Sequence, residues 1–552
     1  LQEWQRMNEY RPFRQSDAVR IGHIAQRKAN GSPIPRITIS LAVMVAILTL
    51  PSNFNEFSEL RFPLEAVGIA LLASASRGIG FSLLRWTVTL LLAAMLFLKL
   101  ADIGTGAAFQ RPFNPYLDLK ILTDGWNLLS GALGIAEAVG IVCIGFLAWL
   151  VVAVILHWSL GGFRRLSGRG RRKSALVSGS IMLIGLAALV VQDPDRRNLG
   201  VEAHAASYVV NRIAMVKDSI ADLARFEDEL KQDPVPAGPH FSALAGTDVV
   251  LIFIESYGRS AIEDPLYAEK INGRLTSVEK EIQAVGLEAR SGWLTSPTVG
   301  GISWLAHGTL LSGLWVDNQG RYDRLITSER TSLNNLFRSS GWRTTAVMPA
   351  ITLDWPEAGY FGYDSIHAAA GLGYHGKPFN WVTMPDQFTL EAFERLVRSP
   401  GHKPVMAEMA LISSHAPWTP LPSLVDWDRI GDGTVFNARA EGGDPPSVVW
   451  ADPNRVRAQY LTSIDYTLET LGSYMARYGK NTLFILLGDH QPASIVTGEG
   501  VSRDVPMHIV TGNPDLLKRL DGWHWQKGMI PLQATPVYRM DEFRRKLVES
   551  FD

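Results

Sequence analysis

Three apolar runs in this chain each end on residues that can hold a metal ion or carry a proton. VVLIFI is followed by Glu255, Ser256, Tyr257 and Gly258. VMAEMALI is followed by Ser413, Ser414, His415, Ala416 and Pro417. LFILL is followed by Gly488, Asp489, His490 and Gln491. Carboxylate oxygens together with imidazole nitrogen suit a divalent cation of the zinc or manganese type. Taken singly, each residue has an ordinary explanation: a carboxylate after a strand is often a helix cap, and Asp-His after a strand is a common turn. The joint occurrence of a Glu, a His and an Asp–His pair after three strands points to one site.

A nucleophile is expected in SPTVGGISWLAHGTLLSG. Its Gly-Gly turn precedes Ser303, which opens a plausible helix. A helix N-terminus offers unpaired N–H groups and the positive end of the dipole, which favour a phosphate or sulfate. A serine there is most often only an N-cap. If its oxygen also ligates the metal, its pKa falls and it becomes a nucleophile. Ser296 and Thr298, upstream on the same loop, are rivals for the role. His307 stands one helical turn after Ser303, where it faces either the site or solvent. His375 and Lys377 in GYHGKPFNW read mainly as a solvated loop, and His508 in DVPMHIV as a strand histidine satisfied in the interior.

These residues need a frame that brings strand ends together. Val249–Ile254, Thr344–Met348, Val405–Ile412 and Leu483–Leu487 are nearly all apolar, as strands buried on both faces of a parallel sheet are. Helical patterns lie between them, among them Glu391–Val397 and Arg455–Tyr478, so a doubly wound α/β domain is expected over 244–552. In such a sheet ligands bind beyond the carboxyl ends of the strands, where these motifs fall. Residues 420–454 are rich in Pro, Gly and Asp and read as a surface excursion.

The first part of the chain is different. Hydrophobic residues make up 47% of the 552 residues and charged residues 19%, below the ~25% charged share of ordinary soluble proteins. The excess is concentrated in Ile37–Phe54, Phe62–Ala75, Trp86–Ala101, Ala138–His157 and Ser174–Val191, which predict a helical membrane domain of five spans over 37–192. The fourth and fifth approach the ~20 residues of a full crossing. Lys99, inside the third, is expected to reach toward the interface, and Cys143 in the fourth to be a small packing residue. Basic residues gather in the segment 1–36 (Arg6 to Arg36), at Arg77 and Arg85, and in Arg164–Lys173 without acids, while Glu56 and Glu59 face Arg61 in the first outer loop. The positive-inside rule then places the N-terminus in the cytoplasm and everything after about residue 192 outside. The outer loop from Asp102 to Ile135 is rich in aromatics and prolines and suits a membrane surface. A charged, amphipathic helix from Val201 to Gln232 forms most of a linker over 193–243, closed by DPVPAGP.

Composition excludes other classes. With 53 Lys plus Arg against 54 Asp plus Glu, the formal net charge is −1, without the basic surplus of a nucleic-acid binder. One cysteine leaves no intramolecular disulfide and no cysteine-based metal cluster.

The order Glu, then Ser/Thr at a helix start, then His, then Asp-His resembles the alkaline phosphatase and sulfatase superfamily. Five N-terminal spans before such a domain resemble its membrane-anchored branch, the lipoteichoic acid synthases and the phosphoglycerol transferases of periplasmic glucans. The resemblance implies that Glu255, Ser303, Asp489 and His490 hold one divalent ion, Mn²⁺ or Zn²⁺. It implies that Ser303, in place of a threonine, is the nucleophile and that His415 contacts the phosphoryl group. Trp355 in LDWPEAGYFGYD matches a tryptophan near the polar head group, and Trp418 is expected to cover that group. The arginine that should follow Trp355 is absent, since Pro356 and Glu357 stand there. The implied activity is transfer of a phosphoglycerol-type head group from a phospholipid to an external glycan through a covalent Ser303 intermediate, in the inner membrane with the sulfatase-like domain periplasmic. Two alternatives keep the same site: a hydrolase or phosphodiesterase using water, and a phosphoethanolamine transferase, which the single cysteine disfavours. No C/S-x-P-x-R motif is present, against an arylsulfatase.

Overall fold

The computed structural model describes residues 32–51, 62–133, 135–191, 201–236 and 238–552. Most of the expected cytoplasmic segment 1–36, the acidic outer loop at Glu56 and Glu59, and the start of the linker at 193–200 lie outside the described residues. By packing, the chain forms two compact units: Leu1–Leu100 with Gly140–Asn211, and Ala101–Val139 with Arg212–Asp552.

The first unit is helical. Its helices are α1 (Ile34–Thr49), α2 (Leu64–Ala75), α3 (Gly78–Phe109), and, after α4 (Leu119–Leu133) of the second unit, α5 (Ile135–Leu160) and α6 (Gly168–Val191), and α7 (His204–Leu230) follows in the chain. By length and composition α3, α5 and α6 are long and apolar enough to cross a membrane, whereas α1 and α2 are shorter apolar helices. At 1.5 Å per residue the 12 residues of α2 rise only about 18 Å, so the five expected crossings divide into three full-length helices and two short ones. Glycines let α2 and α6 approach closely: a Cβ on Gly185 would stand 2.2 Å from Leu64, and one on Gly68 2.9 Å from Met182. Small residues permit this in apolar surroundings, where backbone contact replaces the hydrophobic drive. Ser74 and Ser174 add a hydroxyl pair at 2.8 Å. Lys99 is held at the end of another apolar helix. It is buried and donates to the carbonyls of Leu48 and Leu50, both at 2.7 Å, at the carboxyl end of α1, where a cation meets the negative end of the helix dipole. Cys143 does not pack inside the unit but lies exposed on α5.

The second unit is built on one mixed sheet. Its strands are β1 (Asp248–Ile254), β2 (Glu288–Thr295), β3 (Arg343–Met348), β4 (Ser365–Ala368), β5 (Val405–Leu411), β6 (Thr482–Gly488), β7 (Asp504–Thr511), β8 (Gln526–Lys527) and β9 (Val537–Arg539). The order across the sheet is β8-β2-β7-β6-β1-β5-β3-β4, with β9 also paired to β2. The four strands expected from sequence are β1, β3, β5 and β6, and they lie side by side and parallel at its centre. The antiparallel extension through β7 and β2 was not legible as such, because a strand's direction is set by where its connections run and not by its own residues.

Alternate residues of β1 enter opposite cores. Val250, Ile252 and Ile254 pack with Ile271, Leu275 and Val278 of α8 (Ala268–Ala284), while Val249, Leu251 and Phe253 pack with Leu305, Leu310 and Leu311 of α9 (Ser303–Ser312). This period-two burial on both faces accounts for the unbroken apolar run from Val249 to Ile254. It also places whatever follows Ile254 at the edge of a two-layer core, between β5 and β6.

His508 on β7 is fully buried between Tyr257, whose Oη lies 3.2 Å from Nε2, and Ser291, whose Oγ lies 2.8 Å from Nδ1. Burial pushes its pKa down from 6.5 to about 3. Its neutral form is therefore stabilising at and above pH 6.5, and that contribution is lost as pH falls from 6.5 toward 3, where the unfolded chain binds the extra proton. The thermal midpoint of the wild type is expected to fall across this window, and His508→Gln to give a shallower acid limb in a midpoint-against-pH series.

Candidate active site

Glu255 follows β1 directly, and Asp489 and His490 follow the neighbouring β6 directly. Parallel pairing of Ile254 with Gly488 places the two motifs at the same level. Among the described residues these three form the one group of three Asp, Glu, His or Cys side chains whose ligand atoms all lie within 4.8 Å of one another. His490 Nε2 stands 3.4 Å from Glu255 Oε1 and 3.6 Å from Asp489 Oδ2.

The backbone holds each of them. Asp489 Oδ1 accepts from the amides of Ser256, at 2.9 Å, and His490, at 2.7 Å. His490 Nδ1 is 2.8 Å from the Gln491 carbonyl, which makes it a donor and leaves Nε2 facing the carboxylates. Ser256 Oγ donates to Glu255 Oε1 at 2.8 Å, and Ser414 Oγ to the Glu255 carbonyl at 2.6 Å. The turn after β1 can run this close to β6 only because Gly258 and Gly488 lack side chains: a Cβ on either would lie 1.8 Å from Gln491 Oε1 or from the Tyr257 carbonyl.

Ser303 completes the group. Its Oγ is 3.2 Å from Glu255 Oε2 and 3.2 Å from His490 Nε2. It is not an N-cap. It is the first residue of α9, and the cap position belongs to Ile302, which makes no side-chain cap. The hydroxyl is thus free for chemistry while the first amides of α9 stay open. Gly300, Gly301 and Ile302 all have positive φ, of 74°, 148° and 63°. For a β-branched residue such as Ile302 that is a costly conformation. Thr298 Oγ1 donates to the Gly301 carbonyl at 2.8 Å, and Ser296 Oγ donates to the Asp489 carbonyl at 2.5 Å. Both rivals for the nucleophile are therefore spent on holding the loop.

Burial and then repulsion from Glu255 raise the Asp489 pKa to about 6. Burial opposes charge on His490, but Asp489 and Glu255 outweigh it and shift that pKa up. Two buried carboxylates with only a histidine for company are a poor arrangement by themselves and a good one around a divalent cation. Three or four donors of oxygen and imidazole type fit Mn²⁺ or Zn²⁺.

The group opens on a cavity of about 330 Å³ lined by Ser303, Trp355, Trp381, His415, His307 and Glu408, among others. His415 is buried, with Nδ1 2.6 Å from the Ala416 carbonyl and its ring edge-on to Trp381 at 3.9 Å. Burial, with a smaller push from His490, lowers its pKa to about 4, so it meets the cavity as a neutral imidazole. Trp355 lines the cavity beside Phe361 and Tyr363, at ring separations of 6.1 and 5.9 Å. Trp418 does not cover the site. It is buried against Trp450 and Tyr460 and donates to the Ser414 carbonyl. Trp381 takes the place at the cavity and had no sequence signal, standing in a loop distant in the chain. His375 and Lys377 do not line the cavity, and Lys377 pairs with Glu441. His307 faces the cavity and is bonded to Glu408 at 2.8 Å. Glu408 was missed although a signal existed: it is the lone carboxylate in the apolar run VMAEMALI, on a strand buried from both sides.

Residues 247–517 match the sulfatase family model. This segment is a domain of the sulfatase family. A comparison with curated proteins returns no match. Among solved structures, the lipooligosaccharide phosphoethanolamine transferase EptA of Neisseria meningitidis is similar at 14% identity over 85% of this chain and 84% of its own, with a TM-score of 0.45. The lipoteichoic acid synthase LtaP of Listeria monocytogenes is similar at 12% identity over 60% and 78%, with a TM-score of 0.36. The phosphoglycerol transferase GacH of Streptococcus pyogenes, solved with sn-glycerol-1-phosphate, is similar at 13% identity over 60% and 81%, also at 0.36.

The last residues of α3, from Ala101 on, belong to the second unit and lie against the loop that presents Ser303. A Cβ on Gly300 would lie 1.8 Å from the Ala108 carbonyl, and one on Gly301 3.2 Å from the Phe109 ring, while Ser494 Oγ donates to the Ala107 carbonyl at 2.9 Å. Gly300→Ala combines this overlap with a strained φ and is expected to cost roughly 1–3 kcal/mol of stability, read as a lowered thermal midpoint. Asp489→Asn is expected to weaken binding of Mn²⁺ or Zn²⁺ at least about tenfold in titration calorimetry, since even indirect supports of a ligand are worth that much.

Proposed function

We propose that this protein is a membrane-bound, metal-dependent transferase that moves a phosphoryl-linked head group from a phospholipid to an external hydroxyl acceptor. The supporting observation is Ser303 Oγ at 3.2 Å from both Glu255 and His490, at the open N-terminus of α9 beside a cavity large enough for a head group. Glu255, Asp489 and His490 would hold the ion with Ser303. When bound, the metal supplies a positive charge that lowers the pKa of the serine hydroxyl and offsets charge on the phosphoryl oxygens.

Ser303 Oγ then attacks the phosphorus, the bond to the diacylglycerol oxygen breaks, and diacylglycerol leaves as an alcohol with the proton that Ser303 gave up. In the second half, an acceptor hydroxyl, for example on a glycan, attacks the same phosphorus and Ser303 regains its proton. The α9 amides face the charge that builds on the equatorial oxygens. His415, held neutral with Nδ1 committed to Ala416, offers Nε2 as an acceptor for the incoming hydroxyl.

Membrane placement follows the apolar helices. The basic loops put the N-terminus in the cytoplasm and the sulfatase domain outside, periplasmic in a cell with two membranes. A phosphoglycerol group and an aminoalkyl phosphate are equivalent at the reacting phosphorus, so the metal and Ser303 make no distinction between them. The distinction falls to the far end of the cavity. With water in place of the glycan, the same site is a phosphodiesterase, and product analysis with and without a glycan acceptor separates the two.

Intact mass after incubation with phospholipid vesicles and Mn²⁺ or Zn²⁺ is expected to show a head-group phosphate on the protein. Ser303→Ala is expected to show none and to lose at least about 10³-fold in turnover, the scale of losing a covalent nucleophile. Normal transfer by Ser303→Ala would overturn the assignment.

A further inference from the structure

The cavity has a second polar centre that the metal chemistry does not use. Glu408 lies in the middle of β5, in register with Leu251 of β1 and Ala346 of β3. It is three residues short of the strand end, so about 10 Å below the edge that carries the metal ligands. It is 1% exposed and lines the cavity. Three donors converge on it: His307 Nδ1 at 2.8 Å, Tyr363 Oη at 2.5 Å and Asn334 Nδ2 at 3.2 Å. His307 is in turn stacked on Phe253 at 3.7 Å. With Nδ1 donating to the carboxylate, His307 is held in one orientation and its Nε2 is left as an acceptor.

A carboxylate in the centre of a sheet is unfavourable unless its charge is matched. Three hydrogen bonds stabilise Glu408, and none of them comes from a Lys or Arg. The described residues lining the cavity include no Lys or Arg. Glu255 and Asp489 together balance one divalent cation, and Glu408 is left over. The remaining walls are aromatic, with Trp304, Trp355, Trp381 and Phe361 among them. Aromatic rings attract a cation through their quadrupole, and they offer little to the several hydroxyls of a glycerol, each of which needs a partner when buried.

We infer that the floor of this cavity is a binding site for an ammonium group, so that the head group transferred is an aminoalkyl phosphate. Glu408 supplies the countercharge and positions His307, whose Nε2 accepts one N–H of the ammonium, while the rings enclose its alkyl part. The inference rests on the proposed transferase reading and narrows it: the phosphoryl end is read by the metal site, the ammonium end by Glu408 and His307.

The test uses the full chain in detergent with Mn²⁺, presented with vesicles of phosphatidylethanolamine or of phosphatidylglycerol, and reads both the mass of the protein adduct and the rate of lipid turnover. Phosphatidylethanolamine is expected to leave an aminoethyl phosphate on Ser303 and to react with kcat/KM at least about tenfold above phosphatidylglycerol, the worth of one charge-assisted contact. Glu408→Gln and His307→Gln are expected to collapse that preference, mainly through a raised KM. His307→Gln keeps the test valid if Glu408→Gln, which disturbs Tyr363 and Asn334, fails to fold. An adduct from phosphatidylglycerol at an equal or greater rate, or a preference that survives in a folded variant, overturns the inference and leaves the transferase reading standing. No adduct from either lipid overturns both.

Discussion

The repulsion between two carboxylates buried at adjacent strand ends governs the architecture of the catalytic unit. Glu255 and Asp489 stand close together with His490 as their immediate partner, and burial with mutual repulsion lifts the Asp489 pKa well above its ordinary range. Such a pair is tolerated only where the fold over-determines it. The parallel register of β1 and β6, the amides of Ser256 and His490 on Asp489, and the glycines at 258 and 488 supply that constraint. The unfavourable electrostatics are at the same time what suits the group to a divalent cation.

The same constraint accounts for the strained approach to Ser303. To bring Oγ within reach of Glu255 and His490, the chain passes through three successive residues of positive φ, one of them an isoleucine. Ser296 and Thr298 hold that loop by bonding to backbone carbonyls, and residues 107–109 lie against its outer side. Hydroxyls that look interchangeable along the chain therefore divide into one that faces Glu255 and His490 and two that hold the loop carrying it.

Below the metal ligands the cavity changes character. It is lined by Glu255 and Asp489, by aromatic rings, and by Glu408, which is bonded to a histidine one turn along α9 from Ser303. A single short helix thus carries both the Ser303 hydroxyl and the His307 imidazole, and both line the cavity.

Much of this was legible in the residues themselves. Apolar runs buried on both faces identify β1, β3, β5 and β6, and a ligand-type side chain directly after such a run must emerge at the sheet edge, because the strand fixes its direction. That local rule is why Glu255, His415, Asp489 and His490 were readable, and why a helix start after Gly-Gly marked Ser303. The apolar helices of the first unit were readable from composition for a similar reason, although the buried role of Lys99 was not. What the sequence could not determine depends on contacts between segments far apart in the chain. The pairing of His307 with Glu408, the presence of Trp381 rather than Trp418 at the cavity, the antiparallel edge of the sheet and the packing of 101–139 with the catalytic unit were decided by the tertiary structure, since side chains of ordinary type acquire such roles only from what packs against them.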